Sequence, residues 1–315
     1  MEVGYWLSSE EHAPKDLIAN ARAAEDAGLS FALISDHYHP WIDEQGSSPF
    51  VWGVIGGIAA VTERLTIGTA VTCPLIRIHP AVVAQAAATS ACLLPGRFFL
   101  GVGTGENLNE HVTGARWPAP DERLEMLEEA VEAMRKLWQG GYTTHRGKHY
   151  TVEQARLYTL PDEPVPVIVA AAQEKSAELA GRIGDGYMNV SPDEEIVKKY
   201  EAGGAKGDKY GKVTGYWASD RDEALKEAHK RWPNMGLGGS LSQELALPRD
   251  FEAAAKTVRP DDMEESLALG DDPGAWLEQI RKFEEAGFTH VGLHHLGDDQ
   301  RGFIDFVRRA LVPKL

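Results

Sequence analysis

Short apolar runs of four to six residues alternate along this chain with amphipathic segments of ten to eighteen residues. The short runs are typical of buried strands, and the longer segments repeat their apolar residues at helical spacing. The predicted strands are residues 3–6, 31–35, 65–70, 97–102, 165–170, 187–190, 213–218 and 290–294. The predicted helices are residues 14–27, 49–62, 80–93, 121–138, 174–183, 221–231, 276–286 and 302–311. Eight such units with short loops indicate a parallel sheet, which right-handed crossovers close into an α/β fold, the (β/α)8 TIM barrel.

Two segments depart from this rhythm and are predicted to be insertions. Residues 140–152 have the pattern of a polar β-hairpin outside the barrel. Residues 232–269 are irregular with short helical stretches, and we expect them to cover the mouth of the barrel as a lid. Residues 198–215, rich in Gly and Lys, form the least regular part of the pattern. The length of 315 residues suits one barrel domain, residues 1–315, with these insertions.

Composition excludes several classes of partner. The net charge of −16 disfavours binding to nucleic acid or to an anionic membrane, because both are polyanions. The two cysteines, Cys73 and Cys92, provide neither a disulfide framework nor a metal cluster, which suits a cytoplasmic protein. The chain starts directly with a strand-like run, without a leader pattern, and contains no apolar run of membrane-spanning length.

The second predicted strand ends at a group of reactive side chains. Asp36 and His37 follow it directly, and Trp41 comes four residues after His37. The carboxyl ends of the strands form the active sites of (β/α)8 barrels, so these residues are interpreted as catalytic. An imidazole can accept or donate a proton near neutral pH, and a carboxylate can orient a partner. An indole can exclude water or stabilise a charged intermediate.

A glycine-rich segment, residues 101–110 (GVGTGENLNE), follows the fourth strand. Glycines allow the backbone to approach a flat ring or a phosphate. The segment lacks the glycine spacing of a dinucleotide-binding fingerprint. Two interpretations stay open: a plain turn after a strand, or a loop that brings Glu106 beside His37 as an acid–base pair.

The remaining strand ends give weaker signals. Residues 69–74 are either a surface turn or part of the site, and Cys73 is interpreted as a packing residue rather than a nucleophile. Residues 170–173 lead into a helix whose first amides could hold a phosphate. His290, His294 and His295 have no carboxylate at ligand spacing, so no metal site is predicted.

Four segments together resemble one family. They are residues 35–41 (SDHYHPW), 80–86 (PAVVAQA), 101–110 (GVGTGENLNE) and 181–186 (GRIGDG). On these motifs the chain resembles the luciferase-like superfamily, and more closely the branch that uses the deazaflavin coenzyme F420. That branch includes sugar-phosphate and secondary-alcohol dehydrogenases. The resemblance covers nearly the whole chain and implies a barrel with F420 in its mouth.

The resemblance also implies which residues hold the cofactor. Residues after four strands would contact the deazaflavin ring or its phosphate-bearing tail, and the Ala70–Val71 peptide bond would be cis. The tail would lie at residues 171–173, where relatives are richer in glycine. The implied cofactor-binding residues are Asp36, Ala70, Val71, Cys73, Gly105, Glu106, Asn109, Ala171, Ala172 and Gln173.

The same resemblance implies catalytic roles. His37 would abstract the hydroxyl proton of an alcohol, and Glu10 would support His37. Trp41 would stabilise the intermediate, and Glu106 would protonate the reduced ring. In the reverse direction these residues would serve the reduction of a carbonyl or an activated alkene.

The substrate end departs from the sugar-phosphate pattern. Alignment by register places Asp193, Ala253 and Ser266 where two lysines and an arginine grip a phosphate in those relatives, although Lys256 or Arg259 could substitute if the register shifts. An acidic residue repels a phosphate. We therefore expect an uncharged small-molecule substrate, such as a secondary alcohol, ketone or enone.

Three alternatives stay open at this point. The first is an FMN-dependent luciferase-like reductase or monooxygenase, with FMN in place of F420. The second is an F420-dependent sugar-phosphate dehydrogenase. The third is a non-catalytic F420-binding protein, because a barrel fold does not dictate function. The resemblance also implies a homodimer.

Overall fold

A computed structural model describes residues 1–315, and it contains a closed barrel of eight parallel strands. The strands in chain order are β1 (Glu2–Leu7), β2 (Phe31–Ile34), β3 (Thr66–Thr69), β4 (Phe98–Val102), β5 (Thr143–Arg146), β6 (Thr151–Ala155), β7 (Val167–Ala170), β8 (Gly186–Met188), β9 (Lys209–Tyr216), β10 (Leu267–Leu269) and β11 (His290–His295). The barrel order is β9-β11-β1-β2-β3-β4-β7-β8, and pairing of β8 with β9 closes it. The (β/α)8 barrel predicted from the alternating pattern is confirmed.

Helices surround the barrel and begin at recognisable signals. Proline occupies the first turn of several of them. Four helices are capped by side-chain oxygens, those of Asp193, Asp220, Asp272 and Asp299, and the helix capped by Asp272 also begins with a proline. The helices are α1 (Pro14–Asp26), α2 (Val51–Ala59), α3 (Pro80–Leu93), α4 (Asn107–Glu110), α5 (Pro120–Trp138), α6 (Glu174–Ile183), α7 (Glu194–Ala202), α8 (Arg221–Arg231), α9 (Leu241–Glu244), α10 (Pro248–Ala255), α11 (Pro273–Glu285) and α12 (Gln300–Phe306). No helix combines the length and the apolar composition needed to cross a lipid bilayer.

Alternate residues of the strands build two separate apolar layers. The larger lies between the strands and the helices, and the smaller fills the inside of the barrel. The interior layer consists of Trp6, Phe31, Leu33, Phe99, Ile168, Met188 and Tyr210. Ala70, Val71 and Ala170 pack on this layer and stay partly exposed. The interior layer therefore forms an apolar floor beneath the mouth.

Three segments differ from the predicted pattern. The hairpin is formed by β5 and β6, so it extends three residues beyond the predicted 140–152. Residues 198–215, predicted to be the least regular, include the end of α7 and most of β9. The predicted lid, 232–269, contains short helices as expected, but its last three residues are strand β10, which pairs in parallel with β9. Strand β10 was missed because three residues are too short to show a period.

Candidate active site

His37 lies just beyond β2, with both ring nitrogens in contact with polar groups. Its Nε2 is 3.4 Å from Oε1 of Glu10. Its Nδ1 is 3.2 Å from the amide nitrogen of Asn109 and 3.1 Å from the carbonyl oxygen of His39. Because Nδ1 faces one donor and one acceptor, the surroundings accommodate that nitrogen both with and without a proton. This is a suitable setting for a group that accepts and returns a proton.

Glu10 is buried beside His37 and is held by hydroxyl groups. The Ser35 and Ser8 hydroxyls donate to its Oε2 at 2.6 and 3.0 Å. Burial acts to raise the pKa of Glu10, but the charge of His37 and the Ser35 hydrogen bond outweigh it and lower that pKa overall. Glu10 is therefore a fixed anion beside His37.

Trp41 forms a wall beside the imidazole. Its ring centroid is 5.0 Å from that of His37, at an interplanar angle of 57°. Its other side meets Phe251 of α10 edge-on, with a centroid distance of 5.2 Å. Trp41 thus links His37 to the segment predicted to be the lid.

Asn109 is the residue that brings His37 and Glu106 together. Its Oδ1 accepts from the backbone N–H groups of Tyr38 and His39, at 2.8 and 3.2 Å, which fixes the orientation of the amide. Its Nδ2 then donates to Oε2 of Glu106 at 3.2 Å and faces Nδ1 of His37. The glycine-rich loop therefore brings Glu106 and His37 to one bridging amide, and their acid–base roles stay predictions.

Asp36 belongs to a buried ionic cluster that the sequence did not reveal. Its Oδ1 accepts from Arg77 and its Oδ2 from the Thr72 hydroxyl, both at 2.8 Å. Nε of Arg77 is also 3.6 Å from Oε1 of Glu110. The other carboxylate oxygen of Glu110, Oε2, accepts two backbone N–H bonds. Burial raises the pKa of Glu110. Arg77 thus positions Asp36, and only the folding of the loop after β3 brings the two together.

The loop after β3 and the glycine loop pack tightly on one another. The Ala70–Val71 peptide bond is cis. A Cβ on Gly101 would lie 1.8 Å from the carbonyl oxygen of Thr69, and a Cβ on Gly105 would lie 2.5 Å from Sγ of Cys73. Gly105 also has a φ of +73°, which favours glycine. Cys73 is buried beneath Gly105, and burial raises the pKa of its thiol, so the thiol stays protonated.

The three residues proposed for the cofactor tail lie at the start of α6. Ala171 is buried, whereas Ala172 and Gln173 are exposed. The carbonyl of Ala171 accepts from the Tyr187 hydroxyl at 2.9 Å. The first amides of α6, a helix of ten residues, follow directly. This is the terminus of a helix whose dipole attracts anions.

A second group of polar side chains lies inside the barrel and was not identified from the sequence. Nε2 of His294 is 2.9 Å from Oε2 of Glu11. Burial raises the pKa of Glu11 and lowers that of His294 well below its usual range. Nζ of Lys212, on β9, lies 4.6 Å from the ring centroid of Trp6. The alternation of β9 was the available signal, but it fell in the stretch predicted to be irregular.

The residues placed by register at a phosphate site do not form a cluster of cations. Asp193 is the N-cap of α7, where its Oδ1 accepts from the backbone N–H groups of Glu195 and Ile196. Ala253 and Lys256 are exposed on and after α10. Arg259 is exposed and paired with Asp262 at 2.8 Å. Asp193 therefore has a local structural role, and an Asp before a helical run was a signal for it.

Ser266, the third residue of that register, lies in a short 3-10 turn before β10. Its hydroxyl donates to the carbonyl oxygen of Met263 at 2.8 Å. It therefore supplies no positive charge and is already committed to a local hydrogen bond.

The chain is similar to known proteins over nearly its whole length. Residues 1–290 match the model of a family described as luciferase-like monooxygenase. The chain is 36% identical over 330 aligned residues to the F420-dependent glucose-6-phosphate dehydrogenase of Nocardia farcinica, covering all of this chain and 98% of that protein. It matches a solved F420-dependent secondary alcohol dehydrogenase in complex with an F420–acetone adduct at a TM-score of 0.92 and 30% identity, over 98% of each chain. The F420-dependent tetrahydromethanopterin reductase of Methanopyrus kandleri shares the fold, with a TM-score of 0.80 at 22% identity over 100% of this chain and 99% of that one.

Proposed function

Because this chain belongs to the luciferase-like family, among its F420-dependent oxidoreductases, we propose that its substrate is a small uncharged alcohol or carbonyl compound. The chain is an F420-dependent oxidoreductase. Bound F420 supplies a hydride acceptor or donor, which none of the twenty side chains can supply. The observation that carries the proposal is the bridge in which one amide, Asn109, holds both His37 and Glu106.

The residues at the mouth fit a flat, partly apolar cofactor with an anionic tail. Ala70, Val71 and Ala170 present a partly exposed apolar face above the interior layer. Gly105 packs against Cys73 so closely that a side chain there would displace the loop. The N-terminus of α6, next to residues 171–173, offers backbone donors for a phosphate. The apolar face at Ala70 and Val71 follows β3, the loop with Gly105 follows β4, and the N-terminus of α6 follows β7. These three strands are neighbours in the barrel.

The polar residues support transfer of a proton at His37. When Nδ1 donates its proton to the His39 carbonyl at 3.1 Å, Nε2 carries a lone pair that can accept the hydroxyl proton of an alcohol. The imidazolium that forms lies 3.4 Å from the Glu10 carboxylate, which stabilises its charge. The Ser35 and Ser8 hydroxyls hold that carboxylate in place.

Two further residues complete the proposed machinery. Glu106 is partly exposed and held by Asn109, so its second oxygen is available to exchange a proton at the mouth. The ring of Trp41 covers one side of His37 and excludes water from it. Water exclusion strengthens the electrostatic effect of Glu10 on the imidazole.

The proposal of an uncharged substrate is supported by the charges around the site. Phosphate recognition commonly uses several cationic side chains. Asp193 caps a helix and Arg259 is neutralised by Asp262, so neither strengthens a phosphate site. The second candidate is an F420-dependent sugar-phosphate dehydrogenase, which the relatives at 34–36% identity favour through their activity.

We also propose that the chain forms a homodimer through α2 and α3. These neighbouring helices contain no Asp, Glu, Lys or Arg, although the chain has a net charge of −16. Val82 and Leu93 on this face are 53% and 52% exposed. A second copy of the same uncharged face is the occupant that avoids repulsion between two acidic chains.

Two titrations of intrinsic tryptophan fluorescence test the cofactor and the site together. F420 is expected to bind much more tightly than FMN, and His37→Ala is expected to keep F420 affinity within about threefold. The same variant should lose at least about 100-fold in kcat, because a positioned base is removed. Equal loss of binding and turnover would place the base elsewhere, and preferential FMN binding would favour a flavin enzyme. Binding without turnover of any alcohol, ketone or enone would favour a non-catalytic binding protein.

A further inference from the structure

Lys212 points into the barrel, where a charged side chain is unusual. It is the second residue after Tyr210, which belongs to the interior layer, whereas Val213 belongs to the outer layer. Alternation along β9 therefore directs Lys212 inward, above Tyr210. Its register partner on β11 is Gly292, which in turn pairs with Gly4 of β1. Neither position carries a side chain, and the rings of Phe31 and Trp6 lie close to them.

The ammonium group of Lys212 has aromatic neighbours but no acceptor. Nζ lies 4.6 Å from the ring centroid of Trp6 and 5.3 Å from that of Trp232. It makes no hydrogen bond within the protein and has no carboxylate oxygen within 4.0 Å. Residue 212 is nevertheless partly accessible. A cation held between indole rings with three free N–H donors is arranged to receive an oxygen atom from a ligand.

The titratable groups facing Lys212 limit what that ligand can be. They are Glu10 and Glu11, whose charges act to raise the pKa of Lys212, and His294, whose pKa the charge of Lys212 acts to lower. Burial lowers the pKa of His294 well below its usual range. A phosphate dianion would lack a second cation here and would be repelled by Glu10. A hydroxyl or carbonyl oxygen would satisfy the ammonium group without adding charge.

We propose that Lys212 binds a second oxygen of the substrate, separate from the one whose proton His37 accepts, and selects neutral hydroxylated substrates such as diols, polyols or hydroxyketones. This inference rests on the proposed function, since it extends the substrate class of the same site. Glu10 connects the two positions, because it lies 3.4 Å from His37 and acts electrostatically on Lys212. A substrate without the second oxygen leaves the ammonium group without a partner from the ligand.

Kinetics on a matched pair of substrates tests the proposal. Propane-1,2-diol and propan-2-ol differ by one hydroxyl, and the wild-type kcat/KM is expected to favour the diol by at least about 10-fold. Lys212→Met should remove this preference, mainly through a change in KM. Lys209→Met, on the same strand, is the control and should keep the preference. Lys209 is paired with Glu201 at the opposite end of β9. Equal losses on both alcohols, or no change on either, would overturn the proposal.

The pH dependence of this preference adds a readout that packing alone would not affect. Burial lowers the pKa of Lys212 to about 8, against the opposing effect of Glu10 and Glu11. The ammonium group is therefore charged at pH 7 and loses its proton as the pH rises through about 8. The preference for the diol should decline over the same range. A preference that is constant from pH 7 to pH 9 would contradict the role of the charge.

Chemical labelling separates this proposal from the proposed function, because it needs neither F420 nor turnover. Acetic anhydride modifies neutral amines, and the extent at each lysine is read by peptide mass spectrometry. Glucose is expected to slow labelling of Lys212 and not of the exposed Lys256. Stronger protection by glucose 6-phosphate would identify a phosphate site instead, and absence of protection by both would refute a ligand role for Lys212. Protection by glucose in a protein without dehydrogenase activity would retain the subsite and refute the proposed reaction.

Discussion

Replacing Asn109 with aspartate tests whether the bridging amide keeps His37 available as a base. Asn109 is 2% exposed, and its Oδ1 accepts two backbone N–H bonds that an aspartate oxygen can also accept. The variant is therefore expected to fold. Its other oxygen would replace the amide nitrogen that is now 3.2 Å from both Nδ1 of His37 and Oε2 of Glu106. The substitution therefore replaces a hydrogen-bond donor to His37 and Glu106 with an anionic carboxylate oxygen.

The size of the effect follows from this distance. Two unit charges 3.2 Å apart interact by about 5 kcal/mol at an effective dielectric constant of about 20. Desolvation of the new carboxylate offsets part of this energy, and an adjacent opposite charge typically changes a titration by about 1–3 pH units. The aspartate would favour the imidazolium form and disfavour a second anion at Glu106. We expect the acid limb of kcat/KM for alcohol oxidation to move to higher pH by about 1–3 units.

The assay is the pH profile of F420 reduction at subsaturating alcohol, with cofactor affinity measured on the same samples. Asn107→Asp is the matched control, because Asn107 lies in the same turn but its side chain donates to the Glu244 carbonyl, outside the bridge. Its profile should follow the wild type. An unchanged acid limb in Asn109→Asp, or the same displacement in both variants, would refute the role assigned to the bridge.

Two further predictions concern stability and assembly. Oε2 of Glu25 accepts hydrogen bonds from the backbone N–H groups of residues 63–65. Burial acts to raise the pKa of Glu25, but these hydrogen bonds outweigh it and lower that pKa overall. Because the folded pKa is lowered, this stabilisation is present at pH 7 and is lost as the pH falls below about 4. Glu25→Gln should lower the free energy of unfolding in urea by about 2 kcal/mol at pH 7 and by less at pH 4, so a constant difference would contradict the account. Val82→Asp should convert the proposed dimer to single chains, measured by light scattering, whereas Tyr158→Asp, at an exposed residue off α2 and α3, should not. An unchanged mass in the first variant would exclude this interface.

The fold and the location of the mouth were predictable from the sequence because both depend on local patterns. Most barrel strands and their helices carry their own period, so eight strands could be counted without knowing how they meet, although helix α7 after β8 was not predicted. The end of β2 could be located to within a residue, which placed His37 at the mouth. The motifs of residues 35–41 and 101–110 then indicated the family and its cofactor.

The contacts between those strand ends depended on the tertiary structure. Asn109 lies 72 residues from His37, and Arg77 lies 41 residues from Asp36, so no periodicity relates the members of either pair. The inward direction of Lys212 required the start and register of β9, which a Gly- and Lys-rich stretch concealed. Sequence patterns thus determined which elements form and which residues end them. Closure of the barrel alone decided which of those residues face one another, because that pairing is set by packing between elements distant along the chain.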